Sequence, residues 1–508
     1  MKKNQLFSPE VAIAYRENIK YPEKAPYDPP EIFPELELFN FHADEANNVY
    51  SIVRKSFYLL GLDKDNFGTK QWNPFSAFIK KGDKVIIKPN AVYHSNPADS
   101  IFAMITHPSI LRIVIDYCLL ALEEEGSITI ADCPVMSSDF SKWKEIMHIP
   151  ALLNLYRDKT NITIQCVDLR QTYVKWMLGH TPTSTRKQVS LDPLGYTMIN
   201  LREESAFSTL SEKEIGKIYG ADDTTQETID FHSKGNHIYE VSNTFLDCDV
   251  LISVPKLKVH KKVGITTNIK GMVGMIGNKN SIPHFRRHSP KNGGDEYPDD
   301  LPALQKLLNR YRIFLITKIL SKHTNLTDLL YMGLDMPRRI IEYIMIPKFR
   351  IHKAMLGGSW YGNDTAWRMG ADIIKIALYG KIGSENIAAE PKRFFSVIDG
   401  IIGGENDGPL LPSAKQSGVV LSGFNPLSVD WVAARLINFD PSRIKMLVSA
   451  KGDSKIVWNG SELPIIKSDD DRLKGLWENQ FCIPFIPPVG WRNHIELFPT
   501  AVVHIKTE

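Results

Sequence analysis

The sequence predicts an α/β fold: a mostly parallel, Rossmann-like sheet with helices on both faces, plus one helical and one polar, aromatic insertion. Three observations predict it. Short β-branched apolar runs recur along the chain, several are followed by apolar residues at helical spacing, and the runs are continuous rather than alternating. Continuous runs suit strands covered on both faces, and strands alternating with helices suit a parallel sheet.

Each element follows from its residues. Lys84–Lys88 (KVIIK) reads as a strand, and Pro108–Glu125 as a helix with Ile110, Leu111, Val114, Ile115, Cys118, Leu119 and Leu122 on one face. Thr106 and Ser109 are its candidate caps and Gly126 its stop. Ile128–Ala131 is the next strand, Trp143–Tyr156 the next helix, and Ile162–Val167 a third strand. Asp249–Val254, Phe394–Ile398 and Gly418–Leu421 are further strands, and Pro426–Ile437 is a further helix.

Two segments break this rhythm. Residues 170–245 are polar and aromatic and read as an insertion lobe. Residues 299–356 are helical by pattern, with Arg310, Arg312, Lys318, Lys322, Arg338, Arg339, Lys348, Arg350 and Lys353 among apolar residues. Such a pair can lie on a membrane surface, cap an anionic pocket, or pack on the core as a solvated hairpin. The expected organisation is an N-terminal arm (1–70), core segments at 71–169, 246–298 and 357–450 around the two insertions, and a wrapping tail (451–508).

Composition narrows the function classes. The chain has 508 residues and a net charge of +3, too balanced for a dedicated nucleic-acid binder. Its start lacks a signal-peptide core, and no run approaches the roughly 18 uncharged apolar residues needed to span a bilayer. The cysteines (Cys118, Cys133, Cys166, Cys248, Cys482) form no C-x-x-C pair, so no iron–sulfur cluster, zinc ribbon or disulfide scaffold is expected. A reducing cytoplasm is the expected compartment.

Polar residues gather where the strands end. The runs lead into Lys88-Pro89-Asn90, Asp132-Cys133-Pro134, Pro255-Lys256-Leu257-Lys258-Val259-His260, Asp399-Gly400 and Ser422-Gly423-Phe424-Asn425. Open parallel sheets bind ligands outside the carboxyl ends of their strands, so Lys88, Asn90, Asp132, Lys256, Lys258, His260, Asp399 and Asn425 are expected on one rim. Turn-making explains the prolines and glycines there, but not the lysines and histidine. If the chain stays extended past Pro255, Lys256, Lys258 and His260 share a face and Leu257 and Val259 face the core. From Leu251 through Gly294 there is no acid at all, and an unpaired positive row suits a phosphate or carboxylate. The ordinary alternative is a half-exposed strand. Gly271, Gly274 and Gly277 recur every third residue, which would leave a side-chain-free strip for close approach. His284 and His288 stand four apart, a metal-pair spacing only on a helix with a third ligand.

In order, KPN (88–90), THP (106–108), ADCP (131–134), PKLKVH (255–260), TNIKGMVG (267–274), His284, GNDTAWR (362–368), GGENDGP (403–409) and NPLSVDWVAARL (425–436) resemble the domain of unknown function 362 family. The resemblance spans most of residues 80–445 and implies a bacterial or archaeal source. Some members carry ferredoxin-type cysteines or export signals, and this sequence has neither. It adds Asn363, Asp364, Trp367 and Arg368 to the candidate substrate-binding residues; a helix cap with a core aromatic is the alternative. A more distant resemblance is to nickel-pincer enzymes of the lactate racemase type. It implies Lys270 as a cofactor tether, His284 as a metal ligand, and His107 and His260 as acid–base residues, although the Pro-Gly of the racemase turn is absent.

The expected function is an enzyme acting on a small anionic substrate by lysine and histidine acid–base or group-transfer chemistry: an isomerase, epimerase, lyase or transferase. His260, His107, Lys270, Asp399 and Glu405 are the candidate catalytic residues. Lys88, Asn90, Asp132, Lys256, Lys258, Asp407 and Asn425 are candidates for substrate binding, and His284 and Glu405 for a divalent metal. The alternatives are a nickel-pincer isomerase and a non-catalytic protein that docks a polyanion, membrane surface or partner through its basic segment.

Overall fold

The computed structural model describes residues 5–175, 183–221, 225–320 and 324–499. Lys322 and residues 500–508 of the expected tail lie outside the described residues, as do the side chains of Lys348, Arg350 and Lys353.

A ten-stranded sheet organises the chain. Its strands are β1 (Glu10–Tyr15), β2 (Lys84–Pro89), β3 (Ser127–Asp132), β4 (Thr163–Asp168), β5 (Val250–Val254), β6 (Lys256–His260), β7 (Gly264–Thr266), β8 (Arg393–Asp407), β9 (Leu411–Gly423) and β10 (Ile465–Lys467). In space the order is β10-β1-β9-β8-β5-β2-β3-β4, and the β6–β7 hairpin pairs onto the far half of β8. From β8 to β4 the strands are parallel, while β9 is antiparallel to both its neighbours. The helices that bear on the site are α1 (Asn48–Leu59), α2 (Pro108–Leu122), α3 (Asn268–Gly271), α4 (Ala303–Lys318), α5 (Asn325–Ala354), α6 (Ala366–Tyr379) and α7 (Pro426–Leu436).

The period of two along each strand divides the apolar residues between two cores. Val250, Ile252 and Val254 of β5 join α1 and α2 on one face. Leu251 joins α6 and α7 on the other. The expected α/β fold, a mostly parallel sheet covered on both faces, is the one observed.

Several local expectations are corrected. The helix expected at Trp143–Tyr156 is two, Phe140–Ile146 and Ile149–Tyr156, because His148 takes a left-handed backbone (φ 46°) and Pro150 opens the second helix. The glycines after Asp399 do not end a strand: β8 runs on to Asp407 and turns into β9. Gly403 and Gly404 lie where a Cβ would overlap the Phe485 ring and the Ala103 carbonyl, so they serve close packing within the strand. The N-terminal arm supplies β1 from within the sheet, and the tail supplies β10 at its edge. Helices α4 and α5 form the expected helical insertion, sharing a small core of Leu315, Ile316, Leu320 and Tyr331. Among the described residues no helix is long and apolar enough to cross a membrane.

Candidate functional site

Parallel pairing of β8, β5, β2 and β3 puts Asp399, Val254, Lys88, Asn90 and Asp132 near one edge of the sheet. The chain stays extended past Pro255, and β6 runs beside β8 with Lys256 opposite Asp399 and Lys258 opposite Gly404. Leu257 and Val259 enter the core, as period-two geometry requires. Every residue of β6 is buried, which corrects the half-exposed-strand reading and removes any exposed basic patch there for a polyanion.

Two of the lysines are neutralised. Lys256 Nζ donates to Asp399 Oδ2 at 2.6 Å, to the Tyr21 hydroxyl at 2.8 Å and to the Ile402 carbonyl at 3.2 Å. Asp399 also accepts the Tyr21 hydroxyl and the His107 backbone N–H. Lys88 Nζ lies 2.9 Å from Asp132 Oδ1, and Asp132 accepts the N–H groups of Ala91 and Cys133. The expected unpaired row is therefore corrected at Lys256, and Asp399 and Asp132 are occupied by structural partners. A surface groove of about 550 Å³ between Arg16 and Asn48 touches this network only through Tyr21.

His107 is likewise engaged. Its ring stacks on Tyr21 with centroids 3.9 Å apart, and Tyr27 and Phe102 close its sides. Its Nδ1 accepts the Ser109 N–H at 3.2 Å, so His107 is the cap of α2 expected at Thr106 or Ser109. Thr106 instead accepts the Asn90 N–H and donates to the Val254 carbonyl, tying β2 to β5. Burial, then the charge of Lys256, holds His107 well below the usual imidazole pKa.

What remains is a cluster of positive and neutral donors. Among the described residues Lys258 Nζ meets only carbonyl oxygens, Met104 at 2.8 Å and Pro409 at 3.4 Å. Burial drives its pKa well down, and Lys256, Lys270 and Lys88 add to the effect. Lys270 is buried on α3 and has no hydrogen-bond or ion-pair partner among the described residues. Burial, then Lys279 and Lys88, lowers its pKa to about 7. Lys262, which donates to the Gly357 carbonyl, is also lowered to about 7, by burial and then by Lys261. His260 and half-buried His284 are held well below the usual value by burial first, then by Lys270 and Lys262. His260 Nδ1 accepts the Lys262 N–H at 3.1 Å, which assigns its proton to Nε2. His284 Nδ1 donates to the Ile282 carbonyl at 3.1 Å, leaving Nε2 as a lone-pair acceptor. One imidazole is thus a donor, the other a base.

The position of Lys270 is set by a residue that the sequence reading did not single out. Asp430, buried in α7, accepts the N–H groups of Asn268 and Ile269 at 2.9 Å and the Asn268 amide at 2.8 Å. Its pKa is pushed up to about 6 by burial. The available signal was an acid flanked by Val429 and Trp431 in a mostly apolar helix. From the last residue of α3 onward the glycine strip packs against other segments: Gly271 faces Asn90 and Pro255, Gly274 the Lys88–Asp132 pair, and Gly277 the Tyr196 ring. The expected close approach is between protein backbone and protein side chains.

The other candidates hold the frame. Asn425 caps α7 and donates to the Leu6 and Ile456 carbonyls. Asn363 accepts the Thr365 and Ala366 N–H groups at the start of α6 and donates to the His284 carbonyl at 3.0 Å, fixing that backbone. Asp364 meets Arg286, Arg368 and the Trp367 Nε1–H. These contacts give Asn363 a capping role and Asp364 a bracing one, as in the cap alternative for the GNDTAWR residues. The continuation of β8 takes Glu405 to the tail, where it accepts the Ile486 N–H, and leaves Asp407 exposed. The Glu405 carboxylate is thus engaged with the tail, and the charge of Asp407 acts on Lys261.

The metal expectation also loses its geometry. His284 to His288 is not helical, since Phe285–Arg286 is a strand and His288 takes a left-handed backbone (φ 78°), so the two imidazoles lack the helical spacing that a metal pair would need. Among the described residues no three His, Cys, Asp or Glu side chains form a group that could hold a metal ion.

The comparisons with known proteins bear on this site. Residues 189–435 match the model of a family described as Domain of unknown function (DUF362). No curated protein matches the chain. A crystal structure of a Thermotoga maritima protein is similar at 9% identity and a TM-score of 0.28, over 79% of this chain and 59% of that one. The chain thus spans about 59% of the length of that structure, and the strand order given above, rather than this likeness, defines the fold. The family match contains Lys258, His260, Lys262, Lys270, His284 and Asp430, whereas Lys88, Asn90, His107 and Asp132 precede it. Over residues 189–435, just under half of the chain, the sequence is similar to the DUF362 family, a family of unknown function.

Proposed function

We propose that the Lys270 cluster is the active site of an enzyme acting on a small anionic substrate, a carboxylate or a phosphorylated compound. One observation carries the reading: a buried amine stands without a partner in a field of other lysines, with one donor and one acceptor imidazole close enough for its charge to shift both. Uncompensated positive charge favours an anion. An amine with a pKa of about 7 is half unprotonated at neutral pH, as a proton carrier or nucleophile must be. In this reading Lys270 exchanges the proton or forms the bond, His260 donates through Nε2–H and His284 accepts through Nε2. Lys258 and Lys262 hold the anion. The five cysteines are free, in keeping with a reducing, cytoplasmic compartment.

The test uses pyridoxal phosphate, an anionic aldehyde, as a probe. Borohydride reduction at neutral pH followed by peptide mass mapping should locate the adduct at Lys270, and inorganic phosphate or pyruvate should compete. Lys270→Arg should lose the adduct and keep the fold. Label spread over surface lysines with Lys270 unmodified would refute the proposal. A nickel-containing adduct on Lys270 in protein from its native host would favour the racemase-like alternative.

A further inference from the structure

The helical insertion carries its apolar residues on the wrong side for a solvated hairpin. In α5, Leu326, Leu329, Leu330, Ile340, Tyr343 and Ile344 are all exposed, Tyr343 by 77%. Their spacing of three, four and ten or more places them on one side of the helix. Every charged residue between 326 and 344 lies on the opposite side: Asp328, Asp335, Arg338, Arg339 and Glu342. There Arg338 and Arg339 pair with Asp335 at 2.5 and 2.8 Å, and Tyr331 packs against α4. Helix α4 adds exposed Leu307, Tyr311 and Phe314.

Charge identifies the occupant. Residues 303–354 contain ten Lys and Arg against three Asp and Glu, a net +7, whereas the whole chain carries +3; Lys306, Arg310, Arg312 and Lys318 of α4 supply the described excess, and Lys322, Lys348, Arg350 and Lys353 supply the rest from outside the described side chains. A second copy would bring two such hairpins together, and the like charge opposes it. An anionic bilayer surface offers both an apolar phase for the exposed face and phosphate groups for the cations. No described helix is long and apolar enough to cross that bilayer. We propose that α4 and α5 dock the protein on an anionic membrane surface, lying in the interface plane. This inference is independent of the Lys270 site.

The experiment is co-sedimentation of the full chain with vesicles of phosphatidylcholine containing a quarter phosphatidylglycerol, and with phosphatidylcholine alone. Binding to the anionic vesicles, weakened by salt, is expected. Leu329→Glu with Ile340→Glu should lower the affinity about tenfold or more through lost apolar insertion, with unchanged circular dichroism. Lys318→Glu, at an exposed position on α4, should weaken binding without touching the apolar face. Absence of vesicle binding at low salt, or equal binding by the double variant, would overturn the proposal. A concentration-dependent dimer abolished by the double variant, with no vesicle binding, would overturn it in favour of a second copy.

Discussion

Asp430 holds Asn268 by two hydrogen bonds, one to the backbone N–H at 2.9 Å and one to the side-chain amide at 2.8 Å. A carboxylate on one helix thereby fixes the first turn of another, two residues before Lys270. Replacing Asp430 by Ala leaves buried N–H groups at Asn268 and Ile269 without acceptors, at about 1–3 kcal/mol each. Urea denaturation should show that loss, and pyridoxal phosphate should label Lys270 less selectively. Full stability with unchanged labelling would mean that α3 is fixed by other contacts.

Lys256 and Asp399 are both fully buried and 2.6 Å apart. Removing one partner strands the other charge, so Lys256→Met or Asp399→Asn should each cost about 3–5 kcal/mol, and the double variant less than the two combined. Additive losses in a double-mutant cycle would deny the coupling.

At Gly274 a Cβ would overlap Asp132 Oδ1 and crowd Lys88 Nζ. Gly274→Ala must displace either the turn or the ion pair, and overpacking of this kind costs about 1–3 kcal/mol. Gly61, which has open space around it but a left-handed backbone (φ 75°), is a control for backbone strain alone. In thermal denaturation Gly274→Ala should lose stability through crowding and Gly61→Ala only through backbone strain; an unchanged midpoint for Gly274→Ala would mean that the Lys88–Asp132 pair yields without cost.

Lys270 binds its proton with a pKa of about 7 in the fold against 10.5 ordinarily. Between these values the unfolded chain holds the extra proton, so the contribution of Lys270 to stability rises with pH over that window and is lowest below it. Lys270→Met removes this titration. The variant should therefore be the more stable protein near pH 7, with the difference narrowing as pH approaches 10.5. Urea midpoints across the window measure it; a constant difference would mean that the amine stays protonated in the fold.

Much of the fold was legible because strand periodicity and helix spacing are local. KVIIK, VLISV and FFSVI announce buried strands by themselves. The rim was legible for the same reason, as each strand ends in its own polar residues. Which of those residues pair was not. Lys256 finds its carboxylate 143 positions away, at Asp399, and the absence of acids near it in sequence concealed the partner. The glycines at 403 and 404 read as a turn because their close neighbours, Phe485 and the Ala103 carbonyl, come from distant segments. Lys270 was named from a motif, but its lack of a partner could be seen only in three dimensions.

Strand β1 has consequences for how the chain assembles. Its two neighbours are β9 and β10, which begin at Leu411 and Ile465, 400 residues or more later. A nascent chain therefore carries an apolar, unpaired segment through most of its synthesis, and the β10-β1-β9 side of the sheet cannot be completed from the N-terminus outward. Contacts of such sequence separation slow folding and expose partly built sheets to aggregation. The cell would have to shelter Val11–Ala14, for instance by chaperone binding, until the far end of the chain emerges.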